Sequence, residues 1–333
     1  MEQTVSKENR KEYIDIARGI AIILMAIGHL GLKNSLTQII YSFHMPLFFV
    51  LSGMTIKHES DLRRYLNKRI KRLVVPYLLF ALIFSNPEFT AWIYVLYGSR
   101  NSISLAGSST PLWFLPCLFV ADFIFQLLLR FHKYAGGITK CFITFISTCV
   151  LAILGLLLSR VNVIRLGLPL SLDIALIALP FVCFGWLIGQ KSDIKIKKSV
   201  LSVLLFGAVV LVFILYRYNL PISLTQGFNH VELSIGAVGI VPLFYFCALL
   251  GSFAVVVISF LIQKFYILSE MGKNTLTCLG IHGVVIRIVR LASNEIGVNE
   301  LIYGIGAVIV VICCTLVINR ILRKYVPNMI GLN

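Results

Sequence analysis

The sequence predicts an all-α, polytopic integral membrane protein. Of its 333 residues, 58% are hydrophobic and only 13% are charged, and the mean hydropathy is +0.91. Apolar runs of about 20 residues recur along the chain, which is the length a helix needs to cross the hydrocarbon core of a bilayer. The runs are apolar on every face, whereas the strands of a membrane β-barrel alternate apolar and polar side chains. We therefore expect helices, which pair their own backbone groups in lipid.

The apolar runs divide into ten predicted spans joined by short loops. They are 13–32, 38–56, 70–97 (interrupted at Asn86-Pro87), 111–130, 141–159, 167–189, 199–216, 235–262, 274–294 and 301–319. The first follows a charged stretch and lacks a small-residue cleavage site, so it is not expected to be a cleaved signal. We expect one transmembrane domain over 1–333, with a helical core at about 13–320.

The net charge of +16, from 30 Lys and Arg against 14 Asp and Glu, indicates membrane topology. The aromatic residues lie in the apolar spans rather than beside a basic stripe, so we expect no nucleic-acid partner. With ten spans, 22 of the basic residues fall on one side and 7 on the other, with Arg18 set apart inside the first span. Cytoplasmic loops collect Lys and Arg, so both termini are predicted to be cytoplasmic.

Ionisable residues within spans are costly in lipid and are therefore functional candidates. Arg18 and His29 are eleven residues apart, which places them on one helix face and about 16 Å apart along the axis. Asp15 lies three residues before Arg18, where the two side chains can pair. The alternative is an arginine that extends to the interface and a histidine capped within the core.

The second span carries His44 at a depth close to that of His29. Pro46 removes a helical hydrogen bond and frees the carbonyl of Ser42, which favours a polar cavity nearby. Two histidines at one depth favour a site that works with protons. We expect no metal, because no cysteine or carboxylate lies at a matching depth.

A basic segment leads into the third span. Seven Lys and Arg residues lie between Lys57 and Arg72, a pattern typical of cytoplasmic loops that contact anionic lipid. Arg69 and Arg72 are one helical turn apart, so a guanidinium pair there is also suited to binding phosphates of a cytoplasmic cofactor.

Seven further polar or aromatic residues are candidates for structural or substrate roles. Asp122 and Asp173 are expected to satisfy buried arginines or histidines, and Trp113 fits an interfacial anchor. His282, about 12 Å into the ninth span, fits either a packing contact or a cavity. His230 and Glu232 lie in a predicted outer loop and are placed to touch an acceptor. Glu88, which follows the interruption at Pro87, is a third candidate for this contact.

Six segments together resemble acyltransferase family 3, most closely its fucose 4-O-acetylase-like branch. In chain order they are EYIDIARGIAIILMAIGHL, SFHMPLFFVLSG, RIKRLVVPY, LWFLPCLF, LPFVCFGWLIG and GKNTLTCLGIH. They run from about residue 13 to about residue 283. The Arg-ten-His spacing followed by the FHMPLFF run and the Arg-two-Arg pair carries most of the resemblance.

The resemblance implies a multi-pass enzyme of a bacterial plasma membrane. Such an enzyme takes acetyl from cytoplasmic acetyl-CoA and delivers it to a hydroxyl of an extracytoplasmic carbohydrate, either a surface polysaccharide or a lipid-linked sugar. Arg69 and Arg72, helped by Arg18, would bind the cofactor phosphates. His29 would act as general base or acyl relay, and His44 would orient the acceptor or stabilise the oxyanion.

Alternatives remain open at this point. Some relatives carry an extracellular hydrolase-like domain that completes the transfer, so this chain is expected either to acetylate the acceptor itself or to use a separate partner. Others form the membrane half of serine racemases, which leaves a transporter-like domain that handles an amino acid without acyl transfer. A homo-oligomer is compatible with the sequence.

Overall fold

The structure, a computed structural model, describes residues 2–32, 35–57, 59–160, 166–190, 197–219, 230–262 and 264–326. Its elements within these ranges are helices, without an extended strand. They are α1 (Glu2–Gly28), α2 (Ser35–Thr55), α3 (Leu62–Arg69), α4 (Val75–Ile83), α5 (Phe89–Tyr97), α6 (Arg100–Leu105), α7 (Phe114–Phe131), α8 (Gly137–Arg160), α9 (Leu172–Gln190), α10 (Lys198–Leu215), α11 (Val241–Ile262), α12 (Tyr266–Lys273), α13 (Thr275–Ile296) and α14 (Glu300–Tyr325).

Within the described part of the chain, eight helical segments are long and apolar enough to cross a membrane. They are Ser35–Thr55, Thr110–Tyr134, Gly137–Arg160, Pro169–Gln190, Lys198–Asn219, Val241–Ile262, Thr275–Ile296 and Glu300–Tyr325. The all-helical, multi-pass class is therefore confirmed. The number of ten spans and the cytoplasmic position of both termini stay predictions.

The other two predicted spans differ from a plain apolar helix for identifiable reasons. Helix α1 is charged over its first half, and it ends at Gly28, short of the predicted boundary. The predicted third span is divided into a π-helical turn at Ile70–Val74 and the helices α4 and α5, which have 9 residues each. The interruption between α4 and α5 contains Asn86 and Pro87, as the sequence predicts.

The chain forms two compact units. Unit 1 contains Met1–Phe48, Ile194–Glu232 and Val238–Leu322, and unit 2 contains Phe49–Asp193, Leu233–Ala237 and Arg323–Asn333. Each unit is therefore assembled from segments that are distant in the sequence. The prediction of one functional domain over 1–333 stays a prediction.

Unit 1 is organised around the crossing of α1 and α12. The inward face of α1 is apolar and completely buried at Ile16, Ala17 and Ala21. Gly19 packs against the backbone carbonyl of Leu268 in α12, and a side chain at this position would overlap that carbonyl. This close packing holds α1 in place, and α1 carries Arg18 and ends directly before His29.

Unit 2 contains a similar close contact between the last turns of α2 and the middle of α9. Gly185 lies against the carbonyl of Val50, and Gly53 lies against the carbonyl of Val182. Small residues allow this approach, and membrane helices associate through such contacts because hydrocarbon offers no hydrophobic driving force between them.

Replacing Gly185 with alanine should destabilise the protein by about 1–3 kcal/mol, because the added methyl group would push against the Val50 carbonyl. Gly207, in α10, is the matched control, because a methyl group added there would meet no atom within 4 Å. At Gly207 the change to alanine should stabilise the helix by about 0.5–1 kcal/mol. Unfolding in mixed micelles measures both variants, and equal effects would contradict the close packing of α2 and α9.

Candidate active site

A cluster of aromatic and imidazole rings lies in unit 1. The ring centroids of His29 and His282 are 5.1 Å apart, and the Tyr41 centroid lies 6.1 Å from that of His29. Tyr41 also lies 4.9 Å from His44 and 4.0 Å from His230, measured between ring centroids. Four histidines from separate parts of the chain therefore meet in one cluster with a tyrosine.

Three of these histidines are held in the same way: His29 directly after α1, His44 on α2 and His282 on α13. The Nδ1 atom of His29 lies 2.8 Å from the carbonyl oxygen of Met25, and that of His44 lies 2.9 Å from the carbonyl oxygen of Ile40. His282 Nδ1 lies 3.0 Å from the Leu279 carbonyl oxygen. A carbonyl oxygen only accepts hydrogen bonds, so Nδ1 carries the proton in each ring and Nε2 is left as the acceptor.

Burial distinguishes the three rings. His44 is 1% exposed and His282 is completely buried, whereas His29 is partly exposed. Nε2 of His282 is buried and has no hydrogen-bond partner among the described residues. His29 is therefore the histidine of the three that is most accessible to a bound molecule. It follows directly after Gly28, the last residue of α1, where exposed carbonyls favour positive charge on a ring that takes up a proton.

The cluster relates to the sequence predictions in three ways. His44, predicted to lie at the depth of His29, joins the same cluster as His29, and His282, which the sequence left undecided, lies beside His29. Tyr41 was not among the predicted residues. It precedes His44 by three positions and so shares a helix face with it, which is a signal that the sequence did contain.

A histidine–glutamate pair completes the cluster in unit 1. His230 Nε2 lies 3.6 Å from Glu232 Oε2, and the side chains are 14% and 13% exposed. The sequence had no spacing rule for these two residues. The contact of the His230 ring with Tyr41 depends on the tertiary structure and brings the pair to the cluster.

At the other end of α1, the predicted pairing of Asp15 with Arg18 is confirmed. Arg18 Nη1 lies 3.2 Å from Asp15 Oδ1, and both side chains are partly exposed. The Asp15 carbonyl packs beneath Gly272 of α12, so the pair lies at the helix crossing described above. The cofactor-binding role of Arg18 stays a prediction.

In unit 2 a fully buried carboxylate, that of Asp122, is compensated by several partners. Arg69 Nη1 lies 2.9 Å from its Oδ2 atom. The Ser52 hydroxyl donates to Oδ1 at 2.8 Å, and the Tyr65 hydroxyl donates to the Asp122 carbonyl at 3.1 Å. Burial and the nearby Asp122 carboxylate raise the pKa of the Tyr65 phenol, which keeps it a donor. The expectation that Asp122 satisfies a buried arginine is confirmed.

Arg69 and Arg72 have different surroundings despite their spacing. The Arg69 side chain is 17% exposed and bound to Asp122, whereas Arg72 lines an open cleft. Arg69 is the last residue of α3 and the π-helical turn Ile70–Val74 follows it. A π-helical turn contains more residues than an α-helical turn, so side chains three residues apart no longer share one face.

The cleft beside Arg72 is strongly basic. It has a volume of about 660 Å³ and is lined by Asp61, Arg63, Arg64, Asn67, Lys68, Lys71 and Arg72. Asp61 accepts hydrogen bonds from the backbone N–H groups of Arg63 and Arg64 at the start of α3, so its charge is used to cap the helix. The remaining cations make the cleft suitable for a phosphorylated anion.

Two other predicted residues, Asp173 and Trp113, contact the fold around them in ways that the sequence did not predict. Asp173 was expected to satisfy a buried arginine or histidine, but it accepts hydrogen bonds from backbone N–H groups at the start of α9, including that of Ile174. Carboxylates are stabilised at this end of a helix. Trp113 is 5% exposed and its ring lies 6.2 Å from that of Phe114, which is a packed position rather than that of an exposed interfacial anchor.

The described residues contain no group of three or more His, Cys, Asp or Glu side chains arranged to hold a metal ion. The fold and the site thus define a polytopic helical membrane protein with a histidine cluster and a separate basic cleft. Residues 11–320 match the acyltransferase domain that defines acyltransferase family 3. The chain belongs to this family, as the sequence motifs indicate.

A curated relative is also similar to the chain. It is the nodulation protein NolL of Sinorhizobium fredii (strain NBRC 101917 / NGR234), 26% identical over 204 residues. The similarity covers 56% of this chain and 50% of NolL, so the chain spans about half the length of this relative.

Changing Asp122 to asparagine should lower the free energy of unfolding by about 3–5 kcal/mol, because it leaves the buried Arg69 guanidinium without a counter-charge. The double change Arg69→Met with Asp122→Leu should restore most of this loss, since it removes both charges. Arg72→Met is the control and should change stability by less than about 0.5 kcal/mol. Denaturant titration of the purified protein in mixed micelles measures all three, and a loss no larger than that of the control would contradict the structural role of Arg69.

Proposed function

We propose that this protein is a membrane-embedded O-acetyltransferase that moves an acetyl group from cytoplasmic acetyl-CoA to a hydroxyl of an extracytoplasmic carbohydrate at a bacterial plasma membrane. Membership of acyltransferase family 3 supports acyl transfer. The observation that carries the proposal is His29, whose Nδ1 is bound to the Met25 carbonyl while its Nε2 remains an acceptor. A neutral imidazole in this state is suited to act as a general base.

In the proposed reaction, His29 Nε2 takes the proton of the acceptor hydroxyl as the hydroxyl oxygen attacks the thioester carbonyl. The new C–O bond forms and the C–S bond breaks, with its electron pair leaving on sulfur. The imidazolium then returns the proton to the sulfur, which leaves as the free thiol of CoA. In a two-step path, His29 Nε2 attacks the thioester carbonyl and takes the acetyl group while the CoA thiolate leaves. The acceptor hydroxyl then attacks this acetyl group, the C–N bond breaks to restore Nε2, and the hydroxyl proton passes to the thiolate.

The other histidines would orient His29 and the acceptor. His282 packs beside His29 with its ring at 67° to that of His29, and it would restrict the rotation of the catalytic ring. His44 is fixed by the Ile40 carbonyl and contacts the cluster through Tyr41, from where it would orient the acceptor. Correct placement of reacting groups accounts for a large share of enzymatic rate enhancement.

The basic cleft of unit 2 would bind the phosphates of the donor. Arg72 and Lys71 line the cleft and are not used in ion pairs with described residues. Arg69 would contribute by fixing the end of α3 through Asp122, and its own positive charge is partly compensated there. For Arg18, a role in donor binding is proposed from the sequence motif alone. These proposed roles are separate from the catalytic role of His29, and the role of Arg72 has its own test.

Replacing His29 with glutamine should lower kcat for acetyl transfer at least about 100-fold, because general-base catalysis contributes a factor of this size. Acetyl-CoA affinity should change little. His132→Gln is the matched control, since His132 lies in a different part of the chain and bonds Thr144. Release of free CoA by the protein in proteoliposomes measures turnover. Full activity of the His29 variant would contradict its catalytic role.

Replacing Arg72 with alanine should weaken acetyl-CoA binding about 10- to 100-fold, which corresponds to losing one charge-assisted hydrogen bond of about 1.5–3 kcal/mol. Arg287→Ala is the control, because Arg287 is exposed on α13. Thermal stabilisation by acetyl-CoA measures binding. A short acetyl thioester without the nucleotide phosphates should stabilise neither the unmodified protein nor the Arg72 variant. Solute uptake into vesicles without dependence on acetyl-CoA would favour the transporter-like alternative instead.

A further inference from the structure

Glu232 is an acidic residue of the ring cluster that the proposed reaction does not use. It lies 3.6 Å from His230, whose ring centroid is 4.0 Å from that of Tyr41. The Glu232 carboxylate also lies within electrostatic reach of both His29 and His44. Its side chain is 13% exposed, so it borders the cluster without being sealed inside it. This position suits contact with a molecule that enters the cluster.

The hydrogen-bonding character of the cluster limits what such a molecule can be. An ionised carboxylate only accepts hydrogen bonds, and the histidines fixed through Nδ1 also offer an acceptor at Nε2. A ligand must therefore bring donors, and adjacent hydroxyl groups supply several in a small volume. An anionic group beside Glu232 would instead meet a like charge at low dielectric, which is strongly unfavourable.

Tyr41 adds a second requirement. Its ring is central to the cluster and contacts His44 and His230 with centroid distances of 4.9 and 4.0 Å. An aromatic face packs against apolar carbon surface. A molecule with hydroxyl groups on its edges and C–H groups on its face matches both features, which is the composition of a neutral pyranose.

We infer that Tyr41, His230 and Glu232 form the acceptor-binding wall of the site, and that Glu232 selects an uncharged polyol over a phosphorylated one. This inference rests on the proposed function, because it names the residues that hold the acceptor of that reaction. His230 is a positioning residue that orients the Glu232 carboxylate. Tyr41 supplies the packing surface.

The test compares neutral and charged acceptors in proteoliposomes with acetyl-CoA. The probes are the methyl pyranosides of glucose, galactose and fucose, together with methyl glucoside 6-phosphate. In the unmodified protein, kcat/KM for the preferred neutral pyranoside should exceed that for the phosphate at least tenfold. Glu232→Gln should raise KM for the neutral pyranoside at least tenfold and reduce the preference over the phosphate by a similar factor, while KM for acetyl-CoA stays within twofold.

Glu295→Gln is the matched control, because Glu295 is an exposed acid on α13, and it should leave all of these quantities unchanged. Should Glu232→Gln not yield monodisperse protein, Glu232→Asp serves as the second variant. It keeps the charge but shortens the side chain, so it should raise acceptor KM and retain the preference against phosphate. The inference would be overturned if the Gln variant kept both the acceptor KM and the preference of the unmodified protein. It would also be overturned if the Asp variant kept the acceptor KM.

The two proposals fail in different ways. If the unmodified protein binds acetyl-CoA and releases CoA with other hydroxyl acceptors but with none of the pyranosides, the acceptor class inferred from Glu232 and Tyr41 is wrong and the acyltransferase function stands. If the unmodified protein neither binds acetyl-CoA nor releases CoA with any acceptor, the proposed function itself is wrong.

Discussion

The structure depends on the need to pair most of the polar groups that the chain places among apolar helices. In hydrocarbon an unpaired charge or hydrogen-bonding group costs several kcal/mol. The histidines meet this need locally, because each donates its Nδ1 proton to a carbonyl of the preceding helical turn. The same bond that satisfies the ring sets its tautomer. In His29 this bond leaves Nε2 as an acceptor, which is the atom that the proposed reaction uses.

Arginines in unit 2 illustrate two outcomes of the same need. Arg69 is bound to the buried Asp122, and it therefore holds the end of α3 in a defined position. Arg72 lies in a basic cleft with other cations, where excess positive charge is left for an anion. The π-helical turn after α3 separates these roles. Arg69 therefore contributes to stability, whereas Arg72 is the residue that we propose binds the donor phosphates.

Close helix packing explains how polar residues distant in sequence come to lie together. Glycines at the α1 and α12 crossing and at the α2 and α9 contact allow backbones to approach without intervening side chains. These contacts restrict how α1 rotates against α12 and how α2 rotates against α9. In the same unit as the α1 and α12 crossing, His282 of α13 lies beside His29 and the His230 ring lies against Tyr41.

The sequence by itself determined the helical class and most of the spans, because long apolar runs are enough to indicate membrane helices. It also determined pairs that lie on one helix, such as Asp15 with Arg18, because helical periodicity sets which side chains are neighbours. It also identified the family, since the motifs are local. Only the tertiary structure decided the contacts of Glu232, the place of His282 beside His29 and the separation of Arg69 from Arg72. These depend on how helices rotate against one another and on a local change of helix type, and neither is expressed in the spacing of residues along the chain.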